Sequence, residues 1–244
     1  MQALGISAGV GRNPMYDLYI ANKNYSSWSL RPWALMRELG IAFREHLLPF
    51  GEEASWQRYR ELCPSGRVPC LVDGDTRVWD SLAIVEYLAE RHEGVWPADG
   101  HARAWARCAA AEMHSGFSEL RNRCSMSCGH RIELFEVPIA LERDIARLDA
   151  LWDEGLRRFG GPYLAGEAFT AVDAFYAPVA FRVQTYGLNL DWTAGAYVKQ
   201  LLATRALQEW YADALQETLR DVPHVEDIVR SGRVLQDLRA GAGR

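Results

Sequence analysis

The run Tyr25-Ser26-Ser27-Trp28-Ser29-Leu30-Arg31 puts three hydroxyls where an extended segment gives way to a helix. The first N–H groups of a helix have no partner within it and carry partial positive charge, so an anion is stabilised there. A hydroxyl at the same point adds a directed donor. Serine is also a common helix cap, and the run alone admits both readings. Val68-Pro69, an X-Pro bond between strand residues, is a candidate cis peptide. Asp80-Ser81 opens another helix and forms a second capped terminus of the same kind.

Residue patterning supplies the elements that must hold these groups. Met15 to Ala21 is strand-like and ends in Asn22-Lys23-Asn24. A helix follows, with Trp33, Leu35, Met36 and Leu39 on its apolar face and Gly40 as its stop. Ile41 to Leu48 is extended, Glu52 to Leu62 helical, and Pro64-Ser65-Gly66 a turn. Val68 to Val72 and Thr76 to Trp79 flank Asp73-Gly74-Asp75 as a hairpin, before a helix faced by Ile84, Val85, Tyr87 and Leu88. The order βαβαββα over residues 15–93 implies an α/β domain, a small mixed sheet with helices packed on it.

Residues 94–101 read as a linker, and residues 102–232 as an all-helical domain. Its clearest stripe is Leu141, Ile145, Leu148, Trp152, Leu156 and Phe159, one face of a helix. Ala102 to Cys124, Asp173 to Tyr186 and Arg205 to Leu219 are further helical segments. The Gly-containing residues 1–14 and 233–244 read as a flexible leader and tail.

The 244 residues are 49% hydrophobic and 24% charged, which excludes disorder. No stretch is apolar enough to span a membrane. With 27 basic and 32 acidic side chains the net charge is −5, so no global field attracts nucleic acid. The five cysteines, Cys63, Cys70, Cys108, Cys124 and Cys128, suit a reduced cytoplasmic setting better than a disulfide framework. Cys124, Cys128 and His130 lack a fourth ligand at suitable spacing, so no metal site is expected. Without a Cys-x-x-Cys pair, dithiol chemistry at Cys63 and Cys70 is not expected either.

Taken together, the motifs resemble those of the cytosolic glutathione S-transferases. Pro64-x-x-x-Val68-Pro69-x-Leu71 and Asp80-Ser81-x-Ala83-Ile84-x-x-Tyr87-Leu88 are similar to the family's glutathione-site signatures. Phe169-Thr170-Ala171-Val172-Asp173 resembles the capping box before its central helix. The Ser-Ser-x-Ser-x-Arg run is similar to that of the serine-type enzymes, the zeta class above all, with Trp28 where that class has cysteine. Glu112 to Phe117 resembles a stretch of bacterial members.

The resemblance implies a thioredoxin-like N-terminal domain and a homodimeric detoxification enzyme whose co-substrate is glutathione and whose partner is a small hydrophobic electrophile. It implies Ser26, with Ser27 beside it, as the catalytic pair, Ser26 being preferred to Tyr25 or Tyr19 as thiol donor. Trp28, Arg67, Val68, Pro69, Asp80 and Ser81 would hold glutathione: the Val68 backbone the cysteinyl unit, Ser81 the γ-glutamyl carboxylate, Asp80 the α-amino group, Arg67 the glycyl carboxylate. Arg31, one turn into the helix, is expected in a structural ion pair. The acceptor would face His114, Phe117, Arg121 and Met126. Two alternatives stay open: a glutathione-dependent isomerase or lyase, which Trp28 disfavours in its zeta form, and a non-catalytic glutathione- or protein-binding module.

Overall fold

A computed structural model describes residues 15–241 of the chain. The leader expected over residues 1–14 lies outside the described residues. Strand β1 (Tyr16–Ile20) buries Tyr16, Leu18 and Ile20 completely, a period of two that suits a central strand. It runs parallel to β2 (Phe43–Leu47) and antiparallel to β3 (Cys70–Asp73), and β3 pairs with β4 (Thr76–Trp79). The sheet order is β2-β1-β3-β4. A parallel neighbour needs a crossover. Helix α1 (Ser27–Glu38) supplies it between β1 and β2, α2 (Glu53–Leu62) leads to β3, and α3 (Ser81–Ala89) follows β4. The βαβαββα order read from the patterning is the order observed.

Beyond α3 the chain is mainly helical. Val95 and Trp96, in the segment expected as a linker, are instead buried, and the Val95 carbonyl accepts from Ala171 N–H at 2.8 Å. The helix expected over Ala102 to Cys124 is broken into α4 (Gly100–Ser115) and α5 (Ser118–Arg123). Phe117 adopts a left-handed φ of 53°, which no helix continues through. Helix α6 (Ile139–Phe159) carries the expected stripe, with Leu141, Leu148 and Trp152 fully buried. Helix α7 (Ala171–Tyr186) is apolar almost all round and lies at the centre. Helices α8 (Trp192–Leu202), α9 (Arg205–Gln216) and α10 (Val222–Ser231) complete this half.

The helical half also holds a two-stranded antiparallel ribbon, β5 (His130–Leu134) with β6 (Gly232–Asp237). Of the tail expected to be flexible over residues 233–244, residues 242–244 lie outside the described residues, and the part through Asp237 is a paired strand. Its partner lies about a hundred residues earlier, so no hairpin signal marks it in the sequence. Both halves share one apolar core, where Trp33 of α1 meets Trp210 of α9 edge to face at 5.1 Å. Lys23 reaches this junction and pairs with Glu45 at 2.9 Å and Asp213 at 2.6 Å, one carboxylate from each half.

Candidate active site

Ser26 is the N-cap of α1. Its Oγ accepts from Ser29 N–H at 3.4 Å and donates to Ser29 Oγ at 2.7 Å. Ser29 Oγ also accepts from Ala21 N–H at 3.3 Å, so that oxygen stays partnered if the Ser26 proton rotates away. The turn before the cap is buried and held by the helical half. Glu217, just beyond α9, accepts from the backbone N–H groups of Lys23 at 2.6 Å and Asn24 at 3.1 Å, and from Asn24 Nδ2 at 3.1 Å. Burial raises the Glu217 pKa, and these donors oppose the shift. Trp210 Nε1 donates to the Lys23 carbonyl at 2.8 Å. The serines thus project from a turn with almost no freedom of its own.

They open onto a cleft of about 560 Å³ lined by Ser26, Ser27, Trp28, Arg67 and Val68 from one half and by Arg121, Met126 and Arg182 from the other. An adjoining lobe of about 350 Å³ continues past Trp28, Arg67, Val68 and Pro69 to Asp80 and Ser81. All eight residues expected at the thiol and glutathione positions border one of these two lobes. The Val68–Pro69 peptide is cis. Among the described residues Val68 uses neither its N–H nor its C=O, which leaves both for an added strand. Asp80, with φ of 73°, is the N-cap of α3 and accepts from Leu82 N–H at 2.8 Å. Its other oxygen lies 3.5 Å from His114 Nε2.

Arg121 and Arg182 border this cleft and Arg31 lies behind Trp28, and among the described residues none of the three has a carboxylate as a hydrogen-bond partner. Arg31 is corrected from the expected ion pair: it is buried, Nη1 donates to Ser81 Oγ at 3.2 Å, and Nε has no partner. Its guanidinium lies 4.3 Å from the Trp28 ring and 4.7 Å from Phe175. Burial, reinforced by the Arg121 and Arg182 charges, pushes it down to about 9. Arg182 is equally buried and pushed down to about 10, with Nε on the Cys124 carbonyl at 2.8 Å. Arg121 donates to the His114 carbonyl at 3.3 Å and stacks over Trp28 at 4.8 Å.

Two residues expected on the acceptor side are not on the cleft wall. His114 packs edge-on behind Trp28 at 5.1 Å, and burial lowers its pKa against the opposing charge of Asp80. Phe117 is buried against Tyr176. Both lie at the kink between α4 and α5, which turns the expected continuous helix face inward. Tyr25, the rival thiol donor, borders the larger lobe, but it is largely buried and its Oη accepts from Arg239 Nη1 at 2.6 Å. Cys124, Cys128 and His130 do not converge, and no group of three or more metal-ligating side chains occurs among the described residues.

Arg182 and His224, which also borders the cleft, were not expected there. For Arg182 a signal existed. It is the one charge in the run Ala174 to Gln184, and a helix apolar all round is a buried helix. A charge inside it needs a partner or faces a cavity. His224 carries no such mark, because an exposed-looking helix start explains it equally well.

Residues 25–91 match the family model of the glutathione S-transferase N-terminal domain, and residues 136–213 that of its C-terminal domain. The chain belongs to the glutathione S-transferase family. It is 28% identical over 177 residues to a probable maleylacetoacetate isomerase of Caenorhabditis elegans, covering 71% of this chain and 81% of the relative. To a zeta-class glutathione S-transferase of Euphorbia esula it is 27% identical over 183 residues, covering 74% and 80%. Among solved structures, a Burkholderia glutathione transferase homolog with bound glutathione superimposes with a TM-score of 0.61 at 21% identity, covering 82% of this chain and 97% of that one. At that identity the likeness shows the fold alone.

Proposed function

We propose that this chain is a glutathione transferase of the serine type, binding glutathione in the smaller lobe and activating its thiol at Ser26. A single observation carries the reading. Ser26 caps α1 at the mouth of a cleft whose far lobe ends at a second helix N-terminus, Ser81. A free thiol has a pKa of about 8.5, so only about 3% is ionised at pH 7. Lowering it by about two units requires roughly 2.7 kcal/mol. One hydrogen bond to a charged group contributes about 1.5–3 kcal/mol, and a helix terminus adds about 0.3–1 kcal/mol. The Ser26 proton, rotating from Ser29 to the sulfur, is sufficient, and the protein needs no general base. With Arg31 on the Ser81 oxygen, the Ser81 proton is free for a carboxylate. Arg67 would take the glycyl end, Val68 the cysteinyl backbone, and Asp80 the amino group beside it.

The lining of the larger lobe favours an acceptor that carries a carboxylate over a purely hydrophobic one. Its walls include Arg67, Arg121 and Arg182 and no acidic residue, although the chain as a whole is acidic. This is where the isomerase-type reading gains support, since addition to an anionic unsaturated acid uses the same thiolate. No described helix is long and apolar enough to cross a membrane. A cytoplasmic homodimer is the setting we propose.

Glutathione-agarose retention followed by conjugation of a generic aromatic electrophile tests the reading. Retention with turnover is expected. Retention without turnover on neutral or anionic acceptors favours a binding module, and no retention with no thermal shift removes the co-substrate. Arg182→Leu is expected to lower kcat/KM for a carboxylate-bearing electrophile about tenfold or more, the value of one lost charged hydrogen bond. A neutral electrophile should change about twofold at most. Equal losses on both would make Arg182 structural, and Arg121→Gln, a change at a half-buried side chain, provides the independent check.

A further inference from the structure

The last described residues converge on the turn that carries the serines. β6 brings Asp237 opposite His130. Beyond it, Leu238 N–H donates to the Gly129 carbonyl at 2.8 Å and Ala240 N–H to the Leu215 carbonyl at 2.7 Å. Between these two anchors Arg239 turns inward and is buried. Its Nε and Nη2 donate to the two Asp237 oxygens at 2.8 and 2.5 Å, and its Nη1 donates to Tyr25 Oη at 2.6 Å. A bidentate carboxylate fixes the guanidinium plane, so the direction of Nη1 is fixed with it. Gly129 makes room for the stem, because a Cβ there would overlap Arg239 Cγ. The Tyr25 ring is stacked on His224 at 5.2 Å, and His224 on Phe50 at 5.1 Å. The phenol is therefore held by its face and by its hydroxyl. Tyr25 immediately precedes Ser26, so any shift of the phenol is passed to the main chain from which Ser26 Oγ projects.

We propose that the C-terminal strand is a working part of the thiol site, with Arg239 a positioning residue that holds Ser26 and Ser27 at the cleft through Tyr25. The proposal rests on the reading that these serines receive the glutathione thiol. Arg239 does not border either lobe, whereas Tyr25 borders the larger one, so Arg239→Ala is the variant that reads geometry apart from ligand contact. Misplacement of a reacting group by about 1 Å can cost on the order of a hundredfold in rate. The contacts proposed for glutathione at Arg67, Val68 and Ser81 stay in place, which separates kcat from KM.

Arg239→Ala, Tyr25→Phe and their combination test it, with Arg233→Ala as control, an exposed residue of β6 paired to Glu133. Amide hydrogen exchange over residues 22–30 of the ligand-free protein is expected to quicken in both single variants and to stay unchanged in the control. With glutathione, kcat is expected to fall about tenfold while KM for glutathione stays within about twofold. The double variant should be no worse than the worse single one. Gly129→Ala keeps every polar group, displaces the Arg239 stem and crowds Asn24 of the same turn, and it should move kcat the same way.

A lowered thermal midpoint in Arg239→Ala, with exchange over 22–30 and kcat at wild-type values, would overturn the proposal. So would single effects that multiply in the double variant. The exchange readout needs no glutathione, so a wild-type protein that fails to bind glutathione sinks the thiol reading and leaves the clamp standing or falling on its own.

Discussion

Ser26→Ala is expected to raise the pKa of the bound glutathione thiol by about one to two units and so to lower turnover at pH 7 by about threefold to about twenty-fivefold. A unit of pKa is about 1.4 kcal/mol, and the lost hydrogen bond to a charged sulfur is about 1.5–3 kcal/mol. The helix terminus and its N–H groups remain, so a residual activity persists. The same change removes the N-cap of α1, which costs about 1 kcal/mol of stability. For a chain of this size that is a shift of roughly 2–4 °C in thermal midpoint, too small to account for the rate. An ultraviolet thiolate titration of the glutathione complex separates the two effects. A titration curve unmoved by Ser26→Ala, but moved by Ser27→Ala, would transfer the role to the neighbouring hydroxyl, which makes no hydrogen bond within the fold.

The second large effect is on stability. Asp173 is fully buried and accepts from Thr170 N–H at 2.9 Å, Leu164 N–H at 3.0 Å and Tyr197 Oη at 2.8 Å. With the Thr170 hydroxyl at 3.3 Å, Asp173→Ala takes the acceptor from four buried donors. Each orphaned group costs about 1–3 kcal/mol, so a loss of roughly 3–5 kcal/mol is expected in a denaturant titration. Asp173→Asn keeps an acceptor and loses less. Burial pushes the Asp173 pKa up to about 6, against these hydrogen bonds. A carboxyl whose folded pKa is raised contributes its full stability below its unfolded value near 4, and loses it as pH rises through about 6. The advantage of wild type over Asp173→Asn should therefore narrow between about pH 4 and 6. A gap constant across that range would mean that Asp173 is ionised throughout.

Much of the fold and part of the site could be read along the chain. The caps at Ser26 and Asp80, the cis bond before Pro69 and the box at Thr170 to Asp173 each depend on neighbours within a few residues. The α6 stripe depends on a helical period alone. Residues whose meaning depends on a distant partner could not be read this way. Glu217 is an ordinary acidic residue beyond a helix until it meets Lys23 and Asn24, 194 and 193 residues away. Arg239 sits in a Gly-containing tail until it meets Tyr25, 214 residues away. β6 exposes four consecutive residues and shows no alternation that would mark a strand. Arg31 was expected beside a carboxylate because buried charges usually have one; here two aromatic rings, a serine and a histidine surround it.

Sequence alone determined the order of elements, the two helix termini that can stabilise an anion, and the resemblance that names glutathione as the co-substrate. All of these follow from short-range geometry, which a single chain carries whatever its tertiary partners. The tertiary structure decided what surrounds the serines. It withdrew His114 and Phe117 from the wall by kinking one helix, brought Arg182 to it, and drew the C-terminal strand onto the turn. Those outcomes depend on which buried polar groups meet across the core, and such pairings are set by packing over long separations, not by spacing along the chain.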